Sequence, residues 1–357
     1  MTRPAYAHID CGALQHNLAR VRQAAPSSRV IAVIKANAYG HGLVRTAQAL
    51  AGADAFGVVG LEEAIALREA GLEQRIVLLE GLFTAADLAL VCGYRLDLVV
   101  HSEYQLALLE QGRLTRPVDV WLKLDTGMHR LGFAPARLDA VLARLHAAPH
   151  IGTVRYMTHF ARADEPEADY TATQIATFAA ALGDRDGERT LANSAAVLAW
   201  PGAHADWVRP GIMLYGASPL QGQSAAALGL KPAMTLRSAL IAITDCRRGD
   251  AVGYGGDWMC PADMRIGVAA IGYGDGYPRH APAGTPVLVK GRHAALAGRV
   301  SMDMICIDLG GQPDAVIGDD VILWGDGLPV DDVAHAAGTI SYELLSGISR
   351  RVKYRYR

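Results

Sequence analysis

The sequence predicts an α/β protein with an N-terminal (β/α)8 TIM-type barrel and a C-terminal, mostly β domain. Two observations lead to this prediction. Short apolar, β-branched runs alternate with amphipathic segments along the first 215 residues, and beyond residue 233 similar runs are joined by Gly, Asp and Pro turns with little helix between them. Strands separated by helices indicate a parallel sheet covered by helices, whereas strands joined by tight turns indicate a separate β domain.

Eight strands are predicted in the first part of the chain. They occupy residues 29–35, 55–60, 75–80, 96–101, 118–125, 152–160, 189–193 and 206–214. Amphipathic helices lie between them, such as "LEEAIALREA" (61–70) and "PARLDAVLARLH" (135–146), with apolar residues at helical spacing. Eight such units favour a closed barrel over an open doubly wound sheet. No GxGxxG motif follows the first strand, which weakens the dinucleotide-binding alternative.

Five further strand-like runs predict the second domain. They are "SALIAITDC", "RIGVAAIGYG", "TPVLVKG", "DMICIDLG" and "DDVILWG", and one short amphipathic segment near 339–347 interrupts the pattern. We therefore assign residues 1–232 to the barrel and residues 233–357 to the β domain.

Composition argues against several classes of function. About half of the 357 residues are hydrophobic, and 34 basic against 36 acidic side chains leave a net charge of −2. This balance gives no support for binding nucleic acid or an anionic membrane surface. Five scattered cysteines without a CxxC pair predict a reduced, cytoplasmic protein without a structural zinc site, and no metal ion is expected. The sequence contains neither a signal-peptide core nor a run of about 18 apolar residues, so no membrane partner is expected.

Polar residues collect at the predicted carboxyl ends of the barrel strands. Loops at that face of a parallel barrel converge over one mouth, where catalytic groups lie. A local structural role is the better interpretation for any one of these residues, but seven at one end of a barrel indicate a site. They are Lys35, Lys123, His159, Asn193, Ser194, Arg209 and Gly211.

Two of these residues predict a phosphate site. Ser194 opens a helical segment just after a strand, so its hydroxyl and the first free N–H groups point to one place. Gly211 lets the backbone approach a ligand closely at the eighth strand, and barrels often bind phosphate near their last two strands. A lysine, a phosphate site and an arginine in one mouth predict pyridoxal 5'-phosphate held as a Schiff base.

Nine blocks of the sequence, in order, resemble those of bacterial alanine racemases, which are fold-type III pyridoxal-phosphate enzymes. They are "VIKANAYGHG", "WLKLDTGMHRLGF", "THF", "NS", "VRPGIMLYG", "VGYGGDW", "IGYGDGYPR", "RVSMDM" and "SYELLSGISRRV". The resemblance spans nearly the whole chain. It implies an isomerase that interconverts L-alanine and D-alanine, and a homodimer whose sites are shared between chains. Whether the D-alanine serves the cell wall or the enzyme serves alanine catabolism stays open.

The resemblance also implies which residues hold the cofactor. Lys35 is expected to form the Schiff base, because burial lowers the pKa of a lysine and makes its amine a nucleophile near neutral pH. Arg209 is expected to face the pyridine nitrogen, which a guanidinium leaves unprotonated, and His159 to pack near the ring and link to Arg209. The remaining cofactor-binding residues are implied to be Tyr39, Asn193, Ser194, Tyr342 and the backbone N–H groups of Gly211 and Ile212.

Racemisation takes a proton from one face of the α-carbon and returns one to the other, which two opposed bases do most simply. The resemblance implies that Lys35 serves the D-isomer and that Tyr254 serves the L-isomer from the second domain. It further implies that Arg130 and the backbone of Met302 hold the substrate carboxylate, while Asp303 shapes that loop. Tyr273 and Tyr342 are implied to line the entrance, where their bulk suits a substrate as small as alanine.

Lys123 differs from the other members of the set. A second cation on a buried strand near Arg130 repels the arginine unless the lysine is modified or paired. In many relatives the equivalent lysine is carbamylated and becomes an anion that fixes the arginine. Lys123 is therefore a candidate modified lysine.

Two other interpretations share part of this pattern. A broader amino-acid racemase or a fold-type III decarboxylase has the same barrel and lysine, but a decarboxylase does not need the tyrosine of "GYGG" beside "SMDM". A non-catalytic pyridoxal-phosphate carrier also binds the cofactor on a barrel. Such a carrier lacks the β domain that this chain contains.

Overall fold

The computed structural model describes residues 3–112 and 114–357. Within these residues, eight parallel strands close a barrel in sequence order, and eight further strands form a second, mostly antiparallel sheet. The predicted fold class is confirmed. No helix among the described residues combines the length and apolar character needed to cross a membrane.

The barrel consists of strands β2 to β9, and each of them overlaps one predicted run. Their bounds are Arg29–Val33 (β2), Ala55–Val58 (β3), Arg75–Leu78 (β4), Asp97–Val100 (β5), Val118–Lys123 (β6), Ile151–Met157 (β7), Arg189–Asn193 (β8) and Trp207–Arg209 (β9). Most predicted runs extend too far at the carboxyl end. The apolar residues there continue into the loops above the strands, so hydrophobicity alone does not mark where the sheet ends.

Helices accompany the barrel strands along the chain. Their bounds are Cys11–Ala24 (α1), Lys35–Gly40 (α2), Leu43–Ala49 (α3), Leu61–Glu69 (α4), Asp87–Tyr94 (α5), Glu103–Gln111 (α6), Leu138–Ala147 (α7), Tyr170–Leu182 (α8) and Ser194–Ala199 (α9). The helix predicted at 135–146 begins as a 3₁₀ turn at Pro135–Arg137 before α7. Helix α1 is capped by Asp10, whose carboxylate accepts a hydrogen bond from Ala13 N (2.9 Å) and satisfies one free donor of the first turn.

Side chains fill the interior of the barrel. Ile31, Val77, Trp121, Met157 and Trp207 belong to one buried cluster that is contributed by five different strands. The Trp121 and Trp207 rings meet edge to face with centroids 5.7 Å apart, an arrangement that aromatic pairs prefer. The barrel is therefore a packed core, and its open end is the place for a ligand.

The strands of the second sheet are Tyr6–Ile9 (β1), Met234–Cys246 (β10), Met264–Ala269 (β13), Pro286–Val289 (β14), Arg292–Leu296 (β15), Ile305–Asp308 (β16), Asp320–Trp324 (β17) and Lys353–Tyr356 (β18). Their order across the sheet is β13-β16-β15-β14-β17-β10-β1-β18. A small hairpin of Ala251–Val252 (β11) and Trp258–Met259 (β12) stands apart from it. Strand β1 pairs antiparallel with β10 and parallel with β18, so the first strand of the chain joins the sheet of the second domain.

Two helices belong to this second part of the chain. Helix α11 (Ser341–Ser346) lies where a short amphipathic segment was predicted, whereas α10 (Val330–Ala336) was not predicted. Helix α11 packs on α2 of the barrel. A Cβ on Gly40 would collide with the carbonyl of Leu345, so the glycine allows this close contact between the two domains.

Candidate active site

The carboxyl ends of the barrel strands surround a cavity of ≈ 510 Å³. Many of the residues predicted from the sequence line this cavity. They are Lys35, Tyr39, Lys123, Arg130, His159, Asn193, Ser194, Arg209, Gly211, Ile212 and Tyr342. The structure therefore brings together residues that are up to 307 positions apart in the chain (342 − 35).

Lys35 follows β2 and opens a turn of unusual handedness. The next four residues, Ala36 to Tyr39, all have left-handed backbone angles, with φ between 50° and 55°. For L-residues such a turn costs roughly 1–2 kcal/mol per residue, so surrounding contacts must hold it. One such contact is the amide of Leu43, which donates to the Asn37 side chain (2.9 Å), and another is the amide of Asn37, which donates to Glu63 (3.1 Å).

The environment of Lys35 favours its neutral amine. Burial lowers the pKa of Lys35, the Glu80 carboxylate opposes this effect, and Arg130 adds to it. A neutral amine is the form that attacks a carbonyl carbon and accepts a proton. At a given pH, a larger fraction of Lys35 is therefore in the neutral form than for an exposed lysine.

Arg209 lies at the end of β9 with 5% of its surface exposed. Its guanidinium donates to Thr190 Oγ1 (2.7 Å) and to the carbonyls of Thr158 (2.6 Å) and Leu191 (3.1 Å), which fixes its orientation. Burial lowers the pKa of Arg209 to about 9, so it stays a cation at neutral pH. Its Nη2 atom lies 3.4 Å from Nδ1 of His159, as the predicted link between these two residues requires.

His159 stays neutral in this setting. Burial, followed by the nearby charge of Arg209, holds its pKa well below the ordinary value for histidine. A neutral imidazole can pack against an aromatic ring without adding charge to the cavity.

Asn193 and Ser194 form the start of α9. The Asn193 side chain caps the helix by accepting a hydrogen bond from Ala196 N (3.1 Å). Ser194 Oγ accepts from the amides of Gly211 (2.8 Å) and Met213 (3.4 Å), which ties α9 to the segment after β9. A Cβ on Gly211 would lie 2.6 Å from Tyr39 Oη, so a larger residue there would displace this phenol. These residues form a cradle of hydroxyl groups and backbone amides at the barrel's last two strands.

Lys123 ends β6 and is 7% exposed. Burial, followed by the charges of Arg209, Arg130 and Lys35, lowers its pKa to about 8. A lysine with this pKa has a substantial fraction of neutral amine near pH 8, which is the form that reacts with carbon dioxide.

Glu80 lines the same cavity and was not among the predicted site residues. It lies two residues after the end of β4, and its charge acts on Lys35. The rule that selected the other residues, a polar side chain at the carboxyl end of a barrel strand, applies equally to Glu80.

Four predicted site residues lie outside this cavity. Tyr254, Tyr273, Met302 and Asp303 belong to exposed loops of the second domain, here called the β-domain loops. Tyr254 is 70% exposed and Met302 is 52% exposed. The loops that carry Tyr273 and Met302 are bound to each other, because Tyr273 N donates to Ser301 O (3.0 Å) and Gly274 N donates to Met302 O (2.9 Å).

The cavity fits pyridoxal 5'-phosphate. Four basic side chains line it, Lys35, Lys123, Arg130 and Arg209, and among the described residues Glu80 is the one carboxylate in its lining. This positive excess suits a phosphate and a substrate carboxylate, and the hydroxyl and amide cradle suits the phosphate. The fold and this mouth define a barrel-type pyridoxal-phosphate enzyme.

Comparisons with known proteins agree with this class. The family model for the alanine racemase N-terminal domain matches residues 9–219, and the model for the alanine racemase C-terminal domain matches residues 233–356. The chain belongs to the alanine racemase family, whose members are pyridoxal-phosphate-dependent isomerases. Both domains match, which favours a racemase over the non-catalytic carrier.

Similar proteins cover nearly the full chain. The alanine racemase of Shewanella sediminis is 53% identical over 347 residues, which are 97% of each chain. That of Pectobacterium carotovorum subsp. carotovorum is 52% identical over 355 residues, 99% of each chain. The crystal structure of biosynthetic alanine racemase from Pseudomonas aeruginosa has 51% identity, full coverage of both chains and a TM-score of 0.97. The alanine racemase structure from Acinetobacter baumannii has 39% identity, the same coverage and a TM-score of 0.94.

Proposed function

We propose that this protein interconverts L-alanine and D-alanine by two-base proton transfer at the α-carbon. The observation that carries this proposal is the single cavity in which Lys35 lies among the predicted cofactor-binding residues, in a chain that matches both alanine racemase domains. Bound in this cavity, pyridoxal 5'-phosphate takes up the negative charge that develops when the α-proton leaves.

The two domains have different roles in this proposal. Residues 1–232 carry the cofactor on the barrel, and residues 233–357 supply the second base. The change from parallel to antiparallel pairing at β10, which begins at Met234, supports this division. Strand β1 (Tyr6–Ile9) is shared, because it precedes the barrel in the chain but pairs with β10 and β18.

Lys35 holds the cofactor covalently and acts as one base. Its neutral amine is favoured by burial, and its position is set by the left-handed turn that follows it. Arg209 faces the pyridine nitrogen as a fixed donor, and His159 packs near the ring and links to Arg209. Because a guanidinium that is a cation at neutral pH does not pass on its proton, the ring nitrogen remains unprotonated. With this nitrogen unprotonated, the bound cofactor would be a weaker electron sink, which would limit side reactions and still permit removal of the α-proton.

The phosphate is held by hydroxyl groups and backbone amides rather than by a lysine. Tyr39, Ser194 and Tyr342 supply hydroxyls, and Gly211 and Ile212 supply N–H groups, with Asn193 fixing the helix that begins at Ser194. The Gly211 N–H, which donates to Ser194 Oγ in this structure, then donates to a phosphate oxygen instead. Neutral donors of this kind bind a phosphate while leaving Lys35 free for the chemistry.

Tyr254 is the second base, and it acts in the site of another copy of the chain. Its 70% exposure supports this arrangement, and so does the finding that it does not line the cavity at the barrel mouth of its own chain. Met259, Met302 and Met304 are also about half exposed on this domain, as expected of a surface that a partner covers. We therefore propose a homodimer in which the β-domain loops of one chain close the barrel mouth of the other.

The substrate carboxylate is bound from both chains. Arg130 approaches it from the barrel, and the backbone N–H of Met302 approaches it from the partner, while Asp303 shapes the loop. Lys123, once carbamylated, is an anion that orients Arg130. Tyr273 and Tyr342 narrow the entrance and exclude large side chains.

Purified protein with added cofactor tests the proposal. Incubation with pure L-alanine is expected to give equal amounts of both isomers on chiral chromatography, and pure D-alanine is expected to give the same mixture. A panel of other amino acids separates an alanine racemase from a broader racemase. Release of carbon dioxide or of a keto acid, without inversion, would contradict the proposed function. The similarity to an enzyme described as biosynthetic supports a role in supplying D-alanine for the cell wall rather than in alanine catabolism.

A further inference from the structure

Two buried residues of the sequence motifs have no role in the proposed chemistry. His41 belongs to "KANAYGHG" and is 0% exposed, and Tyr215 belongs to "VRPGIMLYG" and is 1% exposed. Neither lines the cavity. Burying a histidine or a tyrosine is unfavourable unless its polar atoms are used, so their contacts indicate what they do.

These residues form an aromatic column that leads from the core to the mouth of the cavity. The column consists of His41, Tyr215, Tyr39 and Tyr342. Ring centroids are 4.6 Å apart for His41 and Tyr215, 4.7 Å for Tyr215 and Tyr39, and 5.9 Å for Tyr39 and Tyr342. The last two members line the cavity, so the column connects the buried pair to residues that are proposed to contact the phosphate.

The polar atoms of the buried pair hold the backbone on both sides of Lys35. Tyr215 Oη donates to Val33 O (3.0 Å), two residues before Lys35. Nδ1 of His41 lies 2.9 Å from Tyr39 O and 3.1 Å from Ala38 O, inside the left-handed turn that follows Lys35. Carbonyl oxygens only accept, so this nitrogen carries the proton and donates to them.

The other nitrogen of His41 supports this assignment. Nε2 is buried and has no hydrogen-bond partner among the described residues, so a proton there would be unpaired. Burial lowers the pKa of His41 to about 4, and the ring is neutral at physiological pH. His41 is therefore a fixed donor to the turn rather than a proton carrier.

We infer that His41 and Tyr215 are positioning residues that hold Lys35 and Tyr39 in the geometry required to bind pyridoxal phosphate. This inference rests on the proposed function of Lys35 and Tyr39. The left-handed turn contains four consecutive residues without a glycine, so the chain does not adopt it by local preference. The two hydrogen-bond donors stabilise the strand end before the lysine and the turn after it.

Cofactor retention tests the inference directly. The holoenzyme is dialysed against a series of pyridoxal-phosphate concentrations, and bound cofactor is measured to obtain a dissociation constant. His41→Leu removes the donor while keeping an apolar side chain, and we expect the dissociation constant to rise at least about tenfold. His41→Asn keeps an N–H donor near the Nδ1 position, and we expect a value within about threefold of the parent. Tyr215→Phe keeps the ring and loses only the hydroxyl, so an intermediate rise is expected.

A control separates positioning from general loss of stability. Leu323 is fully buried in β17 of the second domain, and Leu323→Ala is expected to lower the melting temperature without changing the dissociation constant for the cofactor. If His41→Leu and Tyr215→Phe retain the parental constant while melting earlier, the two residues are only structural and the inference is wrong.

The design stays decisive if one variant fails to fold. Should His41→Leu be insoluble, a parental constant for Tyr215→Phe overturns the inference, and a raised constant together with near-parental binding by His41→Asn supports it. Failure of the proposed function gives a different pattern, since the parent protein itself then fails to bind the cofactor or to racemise alanine.

Discussion

The barrel mouth and the β-domain loops differ in how completely one chain builds them. In the mouth, Arg209 is 5% exposed and donates to three acceptors, whereas Tyr254 on the β-domain loops is 70% exposed. The chain itself thus fixes Arg209, whereas it does not fix Tyr254, the proposed second base. This difference agrees with the proposal that one chain holds the cofactor and that catalysis requires two.

The largest expected effect is the loss of Lys35. Lys35→Ala removes both the covalent attachment and one base, so racemisation is expected to fall by at least about a thousandfold. Chiral chromatography measures the rate, and borohydride reduction followed by mass spectrometry is expected to place a pyridoxyl label on Lys35 of the parent. The exposed Lys353 provides a control, since Lys353→Ala leaves the mouth intact. A label on Lys123 would contradict the assignment of the barrel mouth.

The buried histidines at and beneath the barrel mouth also predict a dependence of stability on pH. The pKa of His41 is about 4 in the folded protein and 6.5 in the unfolded chain, so between these values the unfolded chain binds more protons. Stability is therefore lost as pH falls from about 6.5 to 4, by about 3 kcal/mol from this group. His159, whose pKa is also lowered, acts in the same direction.

Urea unfolding at several pH values checks this prediction. His41→Asn does not titrate, so its unfolding midpoint is expected to change less between pH 6.5 and 4.5 than that of the parent. The same substitution at the exposed His293 is expected to leave the parental dependence unchanged. If the unfolding midpoint of the parent and that of His41→Asn depend equally on pH, burial of this imidazole does not cause the loss of stability at low pH.

Loss of Lys123 is expected to have a smaller effect than loss of Lys35. Lys123→Ala removes the anion that is proposed to orient Arg130, and the efficiency of racemisation is expected to fall roughly tenfold to a hundredfold. Acetate or another short carboxylate is expected to restore part of the activity by replacing the missing charge. Carbon-13 NMR after exposure to labelled carbon dioxide detects a carbamate directly. An unchanged Lys123→Ala enzyme would limit this lysine to a structural role.

The smallest effect is expected from a change to Asp275, which contacts the β-domain loops. Asp275 is fully buried, pairs with Arg3 and Arg351, and accepts a hydrogen bond from Gly272 N (2.9 Å) beside Tyr273. Asp275→Asn is expected to raise the KM for alanine about fivefold with little change in kcat, because it loosens the loops that carry Tyr273 and Met302.

Steady-state kinetics of a matched pair of variants provides the control. Asp320 also forms an ion pair with an arginine, Arg237, in the same sheet. Asp320→Asn is expected to keep the parental KM, since its ion pair does not contact the β-domain loops. An equal KM in both variants would mean that Asp275 does not position the entrance.

The sequence predicted the barrel mouth more completely than the loops. Lys35, His159 and Arg209 follow or end apolar strands, and the topology of a parallel barrel places such residues together. Glu80 obeys the same rule but was overlooked. The left-handed turn at 36–39 could not be predicted, because "ANAY" contains no glycine and tertiary contacts impose the conformation.

For the second domain, the sequence predicts the strands but not how they pair. Its strands are visible as apolar runs, but the pairing of β1 with β10 and β18 joins residues more than 220 positions apart, and no local pattern specifies it (234 − 9 = 225). Helix α10 was not predicted, although its buried residues Val330, Val333 and Ala334 follow helical spacing. The site assignments of Tyr254, Tyr273, Met302 and Asp303 came from family resemblance. The exposure of Tyr254, Tyr273 and Met302 in one chain is what a shared site predicts.

Complementation between two inactive variants tests the central claim most directly. Lys35→Ala and Tyr254→Phe are unfolded and re-associated, each alone and both together, and racemisation is measured. Random assembly makes about half of the dimers mixed, and each mixed dimer has one site with intact Lys35 and intact Tyr254. Activity is therefore expected to return to roughly a quarter of the parental level. If mass spectrometry confirms mixed dimers and activity stays absent, Tyr254 does not act in the partner's barrel.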